Sequence, residues 1–188
     1  MKSFSEKAIV IGGSAGSFKP LCSILSGLNS DFNLPVFLAL HRLKNVEKGF
    51  LEILSSFSIL PISEPFDKYE YNDGEVLLAP SNYHMYVNSN KTISLSTEEL
   101  INFSRPSIDI TINSVAKAYQ NNAIAILLSG ANKDGVLGMK SILDAGGTTI
   151  VQDLDEAEIT TMPGTAYENY AIDYCLKTDE IIQFLNKL

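Results

Sequence analysis

Three residue types in this chain stand where they could share one reaction. Ser14 follows the apolar run "AIVIGG" within "AIVIGGSAGSFKPLCSIL", His41 follows "PVFLAL" directly, and Asp134 comes shortly after "AIAILLSG", in "ANKDG". A serine hydroxyl is a poor nucleophile at neutral pH and needs an imidazole to remove its proton during attack. The imidazole in turn needs a carboxylate to fix its tautomer and stabilise its charged form. A helix that begins just after Ser14 would direct free backbone N–H groups toward a developing oxyanion. Taken singly, each residue has a plainer role: a helix cap, a packed imidazole, a turn aspartate. The chain has two histidines, so a histidine base must be His41 or His84. His84 falls in a turn-rich segment away from the predicted crevice, which favours His41.

The elements that must position this set are legible as alternating patterns. "AIVIG", "PVFLAL", "AIAILLSG" and "TTIVQD" are near-continuous apolar runs of strand length, with "DYCLK" a weaker fifth. Such runs suit parallel strands covered on both faces. Helical spacing connects them: Phe18, Leu21, Cys22, Leu25 and Leu28; Val46, Phe50, Leu51, Leu54 and Phe57; Ile108, Ile112, Val115, Ala116 and Tyr119. The alternation predicts an α/β fold, a doubly wound, mostly parallel sheet in a Rossmann-like three-layer sandwich. In such a sheet ligands bind beyond the carboxyl ends of the strands, the edge from which Ser14, His41 and Asp134 project. One region breaks the alternation: residues 74–96 read as short strands split by turn signals, an antiparallel hairpin excursion attached to the main sheet. "TDEIIQFLNKL" closes the chain with a helix that Thr178 would cap. No linker divides residues 1–188, which read as a single domain.

Composition narrows the function classes. A formal charge of −8 without a Lys/Arg cluster argues against nucleic-acid binding. No stretch approaches the ~20 apolar residues of a membrane span, and "MKSFSEKAIV" enters a strand pattern without a signal-peptide core, so a cytoplasmic protein is expected. Cys22 and Cys175 lack the spacing of a zinc site or redox motif and read as buried free thiols. "GGSAG" fits G-x-S-x-G formally, but the nucleophile-elbow fold needs strands upstream and the order Ser, Asp, His. The dinucleotide fingerprint and the P-loop both fail, the first for want of its glycine spacing and acid, the second for want of Gly-Lys-Ser/Thr. Asp153, Asp155, Glu156 and Glu158 form an acidic run with no histidine nearby and no calcium-loop glycine, and read as a solvated loop.

Several ordered blocks together resemble the catalytic domain of the chemotaxis protein-glutamate methylesterases, the CheB family. They are "AIVIGGSAGS", "LALHR", "VLLAPSNYHM", "RPSID" from Arg105 to Asp109, "LLSGANKDGVLGM" and "IVQDLDEAEITTMPGTA", and the similarity covers nearly the whole chain. The resemblance implies hydrolysis of glutamate γ-methyl esters on the cytoplasmic helices of chemoreceptors, and deamidation of particular receptor glutamines, with no metal and no organic cofactor. It places Ser14 as nucleophile, His41 as base and Asp134 as the orienting acid, with backbone N–H groups around Ala15 and Gly16 holding the oxyanion. The chain departs from the family pattern at Ser14-Ala15-Gly16-Ser17, where Ser-Thr-Gly-Gly is usual, at Arg42, and at Ala131-Asn132, where Met-Gly is common. The family's receiver domain is not among the 188 residues, so phosphorylation control would have to come from a separate regulatory protein. A binding or adaptor protein of the same fold, recognising receptors without turnover, is the reading from another class.

Overall fold

The computed structural model describes residues 6–41 and 47–188. Among these residues seven strands form one parallel sheet in the order β3-β4-β2-β1-β7-β8-β9. They are β1 (Ala8–Gly13), β2 (Val36–Leu40), β3 (Ile62–Ser63), β4 (Val76–Leu78), β7 (Ala123–Leu127), β8 (Thr148–Gln152) and β9 (Tyr174–Leu176). Every residue of β1, β2 and β7 is buried, as their unbroken apolar character requires of strands covered on both faces.

Among the described residues six α-helices cover the sheet: α1 (Phe18–Gly27), α2 (Glu47–Phe57), α3 (Ile108–Tyr119), α4 (Val136–Asp144), α5 (Thr161–Asn169) and α6 (Thr178–Leu185). Strand side chains alternate between two cores. Val10, Phe37 and Ala125 pack with Ile112, Val115 and Met139 of α3 and α4. Ile9, Ile11, Leu38 and Ile126 pack with Leu21, Leu25 and Ile181 of α1 and α6. Truncating one of these buried aliphatic side chains to alanine typically costs 2–5 kcal/mol.

Chain order reverses at β1, which pairs with β2 on one side and β7 on the other. This is the topological switch point, where loops from two directions open a crevice at the carboxyl edge. Gly12 near the end of β1 makes room for it. A Cβ there would lie 2.3 Å from Ile108 Cγ2, so the start of α3 crosses directly over the strand.

Four expectations need correction. The antiparallel hairpin expected within residues 74–96 is present as β5 (His84–Val87) and β6 (Ile93–Ser96), but it is a separate two-stranded sheet and not attached to the main one, and Val76–Leu78 is instead a parallel strand beside β2. Thr178 does not cap α6. Lys177 takes that place, and the Thr178 hydroxyl and N–H both go to the Glu156 carboxylate. Glu156 is therefore no part of a merely solvated loop, since it also accepts from Gln152 at 3.1 Å and ties α6 to β8. Cys22 is buried as expected, whereas Cys175 is only half-buried. Val46 and Arg42 lie outside the described residues.

Candidate active site

Ser14 and His41 occupy equivalent steps on neighbouring strands. β1 and β2 run parallel with Gly13 opposite Leu40, so the next residue of each leaves the sheet side by side. The His41 N–H donates to the Gly13 carbonyl at 3.2 Å, extending the ladder to the site itself. Paired strands lie roughly 4.8 Å apart, so Ser14 and His41 stand at neighbouring positions of the sheet edge, while the hydrogen bonds of the His41 ring among the described residues go to Asp134 and Asn132.

The turn after β1 is held from both sides. The Ser14 N–H donates to Ser129 O at 2.9 Å, and the Ser17 N–H and hydroxyl donate to Ser14 O at 3.0 and 2.6 Å. Ser129 Oγ donates to Ala15 O at 2.8 Å and accepts the Ile159 N–H at 3.0 Å. Gly16 sits at φ +80°, a conformation that L side chains rarely adopt, and a Cβ there would lie 2.6 Å from Ser129 Oγ. Among the described residues the N–H groups of Ala15 and Gly16 make no hydrogen bond. They are therefore free to receive an anion beside the Ser14 hydroxyl.

His41 meets its acid across 93 residues of sequence: Nε2 lies 2.7 Å from Asp134 Oδ2. Asp134 is wholly buried, and its carboxylate is the most heavily engaged group at the crevice. Oδ2 also accepts the Ile108 N–H at 2.8 Å, and Oδ1 accepts the Asp109 N–H at 2.9 Å and the Ser107 hydroxyl at 3.0 Å. The Asn102 amide adds a longer contact at 3.5 Å. Asp134 thus binds the first turn of α3 as well as the imidazole, and α3 can reach it because Gly12 lets Ile108 lie against β1. Burial works to raise this carboxyl. The His41 hydrogen bond and the two α3 N–H groups outweigh it and hold the carboxyl below the usual range. An ionised carboxylate only accepts, so the proton of neutral His41 sits on Nε2 and the lone pair on Nδ1.

A second carboxyl shares the pocket. Asp109 accepts the Gly138 N–H at 2.7 Å and lies beside Asp134. Burial first, and the Asp134 charge after it, push Asp109 up to about 6, while the Gly138 N–H pulls the other way. The proton of the pair thus belongs to Asp109, leaving Asp134 charged. A folded-state pKa raised above the unfolded value near 3.9 contributes stability that is complete below pH ~4 and lost as the pH rises through about 6. Asp109→Asn keeps the acceptor for Gly138 and cannot charge. Its melting temperature relative to the native protein should therefore climb between pH 4 and pH 7, and a pH-independent difference between the two would contradict this.

The CheB methylesterase family model matches residues 9–185 of the chain. The chain belongs to that family. A Leptospira interrogans protein, provisionally named a protein-glutamate methylesterase/protein-glutamine glutaminase, is 37% identical over 97% of this chain and 94% of its own length. A protein-glutamate methylesterase/protein-glutamine glutaminase of Clostridium acetobutylicum is 33% identical over 100% of this chain but 54% of that protein. The crystal structure of the Thermotoga maritima CheB methylesterase catalytic domain is similar with a TM-score of 0.92 and 31% identity, covering 97% of this chain and 98% of that one.

On this CheB fold the three residues picked from the sequence, Ser14, His41 and Asp134, gather at one sheet edge with Ala15 and Gly16 beside them. His84, which the sequence places away from the crevice, is nearer than expected. It is buried, and its Nδ1 accepts the N–H of Ser107, whose hydroxyl holds Asp134. It supports the acid without facing the crevice. Asn102, Ser107, Asp109 and Ser129 were missed as site residues. The "RPSID" block marked two of them by position only, because their contacts depend on how α3 docks.

Among the described residues no group of three or more His, Cys, Asp or Glu could hold a metal ion, and no helix is long and apolar enough to cross a membrane.

Proposed function

We propose that this chain is a cytoplasmic protein-glutamate methylesterase acting on the methylated helices of chemoreceptors, with protein-glutamine deamidation as a second reaction of the same site. The observation that carries this reading is the His41–Asp134 pair, 2.7 Å apart, beside Ser14 at the switch point of a CheB-family fold.

In this reading Ser14 Oγ attacks the γ-ester carbonyl while His41 Nδ1 takes its proton. The carbonyl oxygen becomes an oxyanion held by the Ala15 and Gly16 N–H groups, and removing one such donor typically costs 10²–10³ in rate. The tetrahedral intermediate collapses as the Nδ1 proton passes to the departing methanol, leaving a glutamyl ester on Ser14. Water, deprotonated by Nδ1, then opens that ester, releasing the free glutamate side chain and restoring the serine. With a glutamine side chain the same steps expel ammonia. Asp134 stays ionised throughout and holds the imidazolium as it forms. These steps ask for no metal and no organic cofactor.

A protein substrate also fits the rim of the site. The turn Ile101–Ser104, which places Asn102 against Asp134, leaves the Phe103 ring 97% exposed where a receptor helix would approach.

The test is direct. A methylated receptor fragment should release methanol in the presence of the protein, and a fluorophosphonate should add to Ser14, located by peptide mass spectrometry. Receptor binding without methanol release, by a folded protein that the phosphonate never labels, would replace this reading with that of a non-catalytic adaptor.

A further inference from the structure

The His41 base already has a hydrogen-bond donor on it. Asn132 Nδ2 lies 3.4 Å from His41 Nδ1, and the Asp134 N–H donates to Asn132 Oδ1 at 3.2 Å. The backbone donor fixes which end of the amide is oxygen, so the end facing His41 is the NH₂ group. With Nε2 donating to Asp134, Nδ1 offers one in-plane lone pair, and among the described residues the Asn132 amide is the group that occupies it.

We propose that Asn132 caps the base of the substrate-free protein and must withdraw before Ser14 can deliver its proton to His41. The inference rests on the reading of Ser14 and His41 as nucleophile and base, and it adds a device that this reading does not contain. One lone pair cannot accept strongly from both the Asn132 amide and the Ser14 hydroxyl. Once Nδ1 is protonated, an N–H would face an N–H, so the cap cannot persist into the tetrahedral intermediate. The 3.4 Å separation makes it a weak, displaceable contact, suited to a resting state. Asn132 is thus a positioning residue: it touches the base and sets how readily the base is available.

The experiment removes the donor and keeps the turn. In Asn132→Ser the shorter hydroxyl can still accept the Asp134 N–H but no longer spans to His41. Asn132→Ala serves as the second variant. Fluorophosphonate labelling of Ser14 should become about two-fold faster in both, the value of a hydrogen bond at the weak end of the net range. Unchanged or slower labelling, in variants that melt as the native protein does, overturns the proposal.

A second readout does not need catalysis. With ¹⁵N-labelled histidine the protein gives signals from two histidines. His84 is the internal reference, with Nδ1 accepting from Ser107 at 3.1 Å and Nε2 donating to Glu99 O at 3.0 Å. With Ser14→Ala as the background, so that no serine hydroxyl can take the vacated lone pair, Asn132→Ser should move the His41 Nδ1 resonance to higher frequency, toward that of an acceptor relieved of its donor, while the His84 pair stays in place. A His41 Nδ1 signal that does not move overturns the cap. If the native protein takes no phosphonate label, the serine-hydrolase reading fails while the spectrum still decides about Asn132.

Discussion

Ser14→Ala should reduce methanol release by roughly 10⁴- to 10⁶-fold and leave thermal stability where it was. The two halves of that expectation come from different atoms. The turn is held by the Ser14 N–H on Ser129 O and by Ser14 O, which accepts from Ser17 twice, and alanine keeps both groups. Oγ is what is lost, and Ser14 is half-buried and outside the hydrophobic cores, so the folding free energy should change by less than about 0.5 kcal/mol. What activity remains is what water can do at the oxyanion site. Methanol assays and melting curves on the same preparation separate the two effects. Methanol release within ten-fold of the native rate would remove Ser14 from the mechanism.

Asp134→Asn should do the opposite and damage chemistry and stability together. Four donors converge on this carboxylate at 3.0 Å or less: His41 Nε2, the Ile108 and Asp109 N–H groups, and the Ser107 hydroxyl. An asparagine must turn its NH₂ toward one pair of them. If it faces His41 and Ile108, the imidazole is driven to the tautomer with its lone pair on Nε2, leaving none for Ser14, and turnover falls by about 10⁴. If it faces Ser107 and Asp109, the first turn of α3 loses its acceptor. Either way at least one buried donor meets another, at a cost of about 1–3 kcal/mol per group left unpaired. A drop in melting temperature of roughly 5–10 °C should therefore accompany the kinetic loss. An Asp134→Asn protein as stable as the native one would mean that α3 does not depend on this carboxylate.

Ser14 and His41 were legible in the sequence because each ends a buried apolar run, and in a parallel sheet such ends converge. Asp134 was legible because it follows β7 at the same edge. The role of Asp134 as anchor for α3 was not, since it depends on Ile108 crossing over Gly12, a contact between residues 96 positions apart in sequence. His84 was misjudged for the same reason: its local sequence is a hairpin, and only the packing of that hairpin against α3 sets it behind Ser107. Strand β3 went unread because two residues, Ile62 and Ser63, carry no period. The hairpin β5–β6 was seen but joined to the wrong neighbour. Turn residues reveal where a chain reverses, and what the pair then leans on is decided by distant side chains.

The parallel register of β1 and β2, Ile9 with Val36 through Gly13 with Leu40, has a consequence for how this protein can change over time. The spacing between Ser14 and His41 is a property of the hydrogen-bond ladder, shared by every pair along it. Helix lengths, surface charges and the loops on the far edge can drift without touching it. A single inserted or deleted residue within either strand would instead turn Ser14 or His41 to the opposite face of the sheet. Tolerance of insertions and deletions is thus sharply uneven: wide in the loops of the far edge, and nearly nil along the buried positions of β1 and β2.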